Sequence, residues 1–139
     1  TFPMVAETTV SLIETLLGIT ISPTNGITAG TVYWRDTSMP GYGLEAVGCS
    51  EVSTDDSADV YYLDETGTPT TGRSSTHPLN GYYLAPNTTP GERTVTADTD
   101  GDIETAHIPV VNADAVTFVN VYYDAPGWPS NPEPSGCTK

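Results

Sequence analysis

From Gly26 onward the chain is a succession of short runs rich in β-branched and aromatic residues, each closed by a cluster of Gly, Pro, Asp, Asn or Ser. This rhythm constrains the fold more than any other feature, because the runs suit strands and leave almost no room for a helical period. The runs are Ile27–Arg35, Leu44–Val52, Ala58–Asp64, Tyr82–Ala85, Arg93–Ala97, Ile103–Val110 and Ala115–Tyr123. Seven short strands separated by turn signals predict an all-β sandwich. Within it, Asn80-Gly81 and Pro90-Gly91 precede Tyr82–Ala85 and Thr94–Ala97, so Ser75–Ala97 reads as a hairpin. Ala115–Tyr123 is apolar on both faces apart from Thr117 and Asn120, the pattern of a central strand.

Residues 1–25 stand apart as an extension, 26–124 form the sandwich, and 125–139 make a tail. Ser11-Leu-Ile-Glu14 resembles a capping box, and Gly18 suits the end of a helix through Leu17. By residue type, Thr8–Leu12 and Gly18–Ile21 suit strands equally well. In either conformation Val10, Leu12, Ile13, Leu16, Leu17, Ile19 and Ile21 need burial. They form a candidate assembly segment, able to add a strand to a neighbour's open edge or to pack on their own domain. The tail holds four prolines in fifteen residues, which excludes a helix or a central strand there. Cys49 and Cys137 are the only cysteines and suit one disulfide in an oxidising compartment, pinning the tail to the body. Closing so long a loop contributes about 4–5 kcal/mol in the chain-entropy picture. Together with a start at Thr1, as in a processed or trimmed protein, this makes the expectation an extracellular or cell-surface protein.

Several of these segments carry a resemblance. Gly30-Thr-Val32 near a strand start, Pro40–Val47 leading into the next strand, Gly81-Tyr-Tyr-Leu84, Pro90-Gly91 and Thr94-Val-Thr-Ala97 follow one another as in carboxypeptidase regulatory-like domains. The resemblance covers roughly Gly26–Asp124. It implies a transthyretin-like (prealbumin-like), Ig-like Greek-key sandwich of about seven strands, extracellular display and no catalysis. The insertion Ser53–Arg73 is longer than that module allows, and the N-terminal extension lies outside it.

Charge and motifs narrow the function. Eighteen acidic residues against four basic ones give a net charge of −14, which repels phosphate backbones and excludes nucleic acid as a partner. The longest apolar candidate, Val10–Ile21, is interrupted by Ser11, Glu14, Thr15 and Gly18 and is too short for a membrane span. Asp98, Asp100 and Asp102 alternate as in the start of a Ca²⁺ loop, but Gly101 falls one residue early, and an Asp100-Gly101 hairpin turn explains the same residues. Asp55, Asp56 and Asp59 read as a solvated loop. His77 and His107 lack the partners of a metal site or triad, and no nucleophile elbow, phosphate loop or dinucleotide motif occurs. No cofactor and no catalysis are expected.

The aromatic pairs Tyr33-Trp34, Tyr61-Tyr62, Tyr82-Tyr83 and Tyr122-Tyr123 each send one ring to either side of a strand. Tyr33, Tyr61, Tyr62, Tyr82, Tyr83 and Tyr122 are therefore candidates for a face that stacks on sugars or on a neighbouring subunit, with cross-strand packing as the alternative. Asn87-Thr-Thr89 matches an N-glycosylation acceptor. The sequence thus favours a non-enzymatic structural subunit, filament or pilus-like, contacting copies of itself or other surface proteins. An accessory module binding carbohydrate or Ca²⁺ is the alternative.

Overall fold

One strand organises the larger part of the molecule. The computed structural model describes residues 7–38, 41, 43–113 and 115–125, and in it β1 (Gly26–Asp36) pairs with four other strands. Its first half lies between β6 (Tyr82–Thr88, antiparallel) and β9 (Val116–Phe118, parallel). Its second half lies between β2 (Leu44–Ala46, antiparallel) and β10 (Val121–Ala125, parallel). Beyond β6 the sheet continues through β4 (Tyr61–Leu63) to the two-residue β5 (Pro69–Thr70). A second, antiparallel sheet runs β3 (Glu51–Thr54), β7 (Gly91–Thr99), β8 (Asp102–Val111).

The two sheets share one core. Val32, Tyr62, Tyr83, Val121 and Tyr123 of the first meet Val52, Val95, Ala97, Ile108 and Val111 of the second. Each fully buried Val or Ile among them contributes about 1.5–3 kcal/mol. The protein is thus mostly β, with a sandwich-like pair of sheets. The buried phenols are each satisfied, as a low-dielectric core requires. Tyr62 Oη accepts from Val52 N at 2.8 Å and so ties the sheets together. Tyr83 Oη donates to Val119 O at 2.6 Å. Tyr123 Oη accepts from Thr99 Oγ1 at 3.0 Å and lies 2.7 Å from Asp102 O. Burial pushes all three hydroxyls above the ordinary tyrosine range.

Several expectations from the sequence change here, each for a physical reason. The seven predicted runs become ten strands among the described residues, since two runs split and β5 is added. Leu44–Val52 breaks at Val47–Ser50, where the chain passes from one sheet to the other. There Cys49 takes φ 60, and Thr76 replaces a ladder neighbour. Cys49 N donates to Thr76 O at 2.9 Å, and Thr76 Oγ1 donates to Val47 O at 2.7 Å. Ala115–Tyr123 breaks at Val119-Asn120, because Thr31 N donates to the Asn120 side chain at 3.0 Å. A Cβ on Gly30 would lie 1.7 Å from Val119 O, so the two strands approach this closely only at glycine. The pair β9–β10 is also no central strand: β1 is its sole ladder partner among the described residues.

The hairpin read across Ser75–Ala97 does not form either. β6 pairs with β1 and β4, whereas β7 pairs with β3 and β8, so the chain crosses between sheets at Thr89-Pro90. The true hairpin is β7–β8, closed by Asp100 and Gly101 with φ 57 and 95. Two consecutive positive φ values define the type I′ turn that matches strand twist.

Within the extension, residues 7–17 are helical. α1 (Glu7–Leu17) begins four residues before Ser11, so Ser11 lies inside it and not at its cap. Its end matches the expectation: Gly18 takes φ 67 and Ile19 N donates to Glu14 O at 3.1 Å, a Schellman closure. Strand addition requires the extended conformation, and in this fold Val10–Leu17 of the segment are helical. Among the described residues no helix is long and apolar enough to cross a membrane.

Candidate functional site

Side-chain alternation gives the larger sheet an apolar outer face. On β1 the outward positions are Ile27, Ala29, Thr31, Tyr33 and Arg35, and Leu84, Tyr61, Leu63 and Val116 stand beside the first of them. Such a face needs a cover, and α1 supplies it. Leu17 and Ile21 are buried with Ile27 and Leu84, while Val10, Ile13 and Ile19 pack around them. The helix period places Val10, Ile13 and Leu17 toward the sheet, and it leaves Leu12 and Leu16 on another flank.

The cover is incomplete. Between α1, β6, β9 and the Gly67–Pro69 turn lies a groove of about 490 Å³. Leu12 and Leu16 line it from α1, which packs toward β5, Leu63 and Tyr82 line it from β4 and β6, and Phe118 lines it from β9, on the far side of β1. Phe118 is 76% exposed and Leu12 56%, high values for large apolar groups. Among the described residues no Asp, Glu, Lys, Arg or His lines the groove. Its polar members, Thr31 and Asn120, bond to each other through the Thr31 backbone.

A latch holds the cover in place. Asn87, at the outer end of β6, accepts from Ser22 N at 2.9 Å and donates through Nδ2 to Thr20 O at 3.0 Å. Glu14 adds a contact within the extension, accepting from Ile21 N at 2.7 Å. The sequon nitrogen of Asn87, the atom a glycan would take, is thus engaged in fastening residues 20–22.

Further along the same face, Tyr33 and Tyr122 stack with centroids 5.8 Å apart, and the Arg35 guanidinium lies 4.9 Å from the Tyr122 centroid. Arg35 donates to both carboxylate oxygens of Asp124, at 2.5 and 2.8 Å. The Arg35 hydrogen bonds hold the Asp124 carboxyl below the usual range.

The six candidate tyrosines therefore separate. Tyr62 and Tyr83 are core residues, Tyr61 packs with the cluster under α1, Tyr82 borders the groove, and Tyr33 and Tyr122 form the neighbouring stack. Asp98, Asp100 and Asp102 belong to the β7–β8 hairpin, where Asp98 Oδ1 accepts from Gly101 N at 2.8 Å. Among the described residues no three His, Cys, Asp or Glu side chains come together to hold a metal. Cys49 is buried, while Cys137 lies outside the described residues.

Asp55 and Asp56 are more than a solvated loop. Asp56 accepts from Thr54 Oγ1 at 2.5 Å and Thr89 N at 2.7 Å, and Asp55 accepts from Thr94 N at 3.1 Å. They clamp the β3 end to the crossover between sheets. Burial pushes the Asp56 carboxyl up, but the Thr54, Thr89 and Ala58 hydrogen bonds outweigh it and hold the group below its ordinary value.

Sequence reading missed Phe118, Asn120 and the groove. The available signal was the period-two phase of β9 and β10, which sets Val116, Phe118 and Asn120 against the inward Val121 and Tyr123. No family model matches the chain, and no curated protein or solved structure matches it either. Its function therefore rests on its own geometry.

Proposed function

We propose that this chain is a non-enzymatic structural domain of an extracellular or cell-surface assembly, such as a filament, contacting copies of itself. The observation that carries the reading is the outer face of the larger sheet: apolar, with no charged side chain among the described residues that line the groove, and only partly covered by α1. A chain of net charge −14 meets strong repulsion from its own copies, and this face is where the repulsion is least. Exposed apolar area of this kind, bordered by polar surface, marks contact sites. In this reading the extension contributes as a helix on the contact face and not as a donated strand. Greek-key connectivity of the transthyretin-like kind, secretion and the Cys49–Cys137 disulfide belong to the same reading.

Binding of carbohydrate is the weaker reading, since Tyr62 and Tyr83 lie in the core and Tyr33 and Tyr122 spend ring area on each other. Light scattering after size-exclusion chromatography, together with negative-stain microscopy of the full chain, tests the proposal. Species that grow with concentration are the expected result. A strictly monomeric chain that instead binds a glycan array through Tyr33, Tyr82 and Tyr122 would replace assembly with the binding-module reading.

A further inference from the structure

We infer that the groove beside α1 is occupied by Phe118 of a second copy of this chain, in a reciprocal two-fold contact. The inference rests on the assembly reading and names the partner and the mode of one pairwise contact, which closes into a dimer and leaves growth beyond it to another surface. The decisive observation is that one small surface holds both an apolar hollow and an apolar projection. Phe118 projects from β9 on one rim and is 76% exposed, whereas Leu12 and Leu16 on α1 wall the hollow from the other side. An interface about a two-fold axis joins a patch to its own duplicate, so it needs a patch that is complementary to itself. A ring beside a hollow meets that need: rotation places each Phe118 over the partner's hollow and brings each Leu12 wall against the partner's ring.

Charge selects the same occupant. With eighteen acidic residues, the chain offers a cationic partner many sites better than a groove that carries no carboxylate. An anionic ligand meets repulsion from the whole molecule and finds no Lys, Arg or His in the lining. A second copy is equally acidic, so it approaches most easily where both surfaces are least charged. Here they are the same surface, and among the described residues its lining carries no charged side chain, with Asp64 and Glu65 beside it. Salt should accordingly tighten the contact, since it screens the repulsion between the rest of the two molecules.

Sedimentation velocity of the full chain over a range of concentrations, at low and at moderate salt, reads the association. Phe118→Asp should weaken it at least tenfold, and Leu12→Lys should do the same from the opposite wall. Both side chains are mostly exposed, so the melting temperature should stay near that of the parent. An equimolar mixture of the two variants should recover association, because the mixed dimer keeps one native contact and sets opposite charges together in the other. Unchanged association of Phe118→Asp overturns the groove contact and leaves the assembly reading standing. Loss of association in both variants without recovery in the mixture overturns the reciprocal geometry. Nile red gives the last check. Its fluorescence should fall as protein concentration rises and the hollow fills; uptake independent of concentration overturns the inference in favour of a small apolar ligand. A parent chain that stays monomeric throughout defeats the assembly reading itself.

Discussion

The outer faces of the two sheets have opposite finishes. On the smaller sheet the outward positions are Glu51, Ser53, Thr94, Thr96, Asp98, Thr105 and His107, with Ile103 a large apolar exception and Val110 a second exposed one farther along β8. That face remains open to water and carries no helix. On the larger sheet the outward residues are Ile27, Ala29, Leu84, Tyr61, Leu63 and Val116, and α1 lies across them. An antiparallel sheet tolerates one wet face only if its outward side chains are polar. The contrast teaches that α1 is a consequence of the sheet beneath it. The groove marks where that cover falls short.

The largest test of the contrast removes the contact between cover and sheet. Leu17→Ala, at a site 5% exposed, should destabilise the fold by about 2–5 kcal/mol in urea unfolding. Thr96→Ala on the polar face should stay within about 0.5 kcal/mol of the parent. Equal effects would abolish the distinction between the faces.

A smaller effect follows from opening the latch. Asn87→Ala removes the side-chain partner of Ser22 N and Thr20 O at a site water can reach, and should cost about 0.5–1.5 kcal/mol. Hydrogen exchange should quicken in residues 10–22 while β7 and β8 keep their protection. Uniform loss of protection would mean that α1 is integral to the core and not a cover fastened to it.

The smallest effect concerns the Asp56 clamp, which holds Thr89 two residues beyond the latch at Asn87. Asp56 titrates below its unfolded value, so its stabilisation is present above the ordinary aspartate pKa and is lost as pH falls through the folded one. Asp56→Asn should therefore lower the melting temperature at neutral pH, and the gap from the parent should close below about pH 4. Leu17→Ala should show no such convergence, because apolar packing at α1 does not titrate.

Much of the framework was legible along the chain. β1 and β8 match the predicted runs to within a residue at each end, β7 extends its run by two residues at each end, and Asp100-Gly101 announced the one true two-residue hairpin among the described residues. Gly18 announced the end of α1. Turn residues also marked Pro90-Gly91, but turn chemistry says only that the chain changes direction. It does not say whether the next strand stays in the sheet, and β7 does not. The candidate site was less legible. Each tyrosine pair straddles a strand as alternation requires, yet alternation cannot tell which ring of the pair meets the core. Asn87 read as a glycosylation acceptor because its partners, Thr20 and Ser22, lie more than sixty residues away in sequence.

By itself the sequence determined the strand-forming runs, the hairpin at Asp100-Gly101 and the acidity that sets which partners can approach. Those follow from local sterics, period-two alternation and a sum of charges, none of which needs a distant neighbour. Only the tertiary structure decided which sheet each strand joins, that residues 7–17 of the extension form a helical cover, and that Phe118 is left standing beside an unfilled groove. Those depend on contacts between segments far apart in the chain, such as Tyr83 Oη with Val119 O and Asn87 with Ser22. Whether an apolar face is covered depends on which distant segment reaches it.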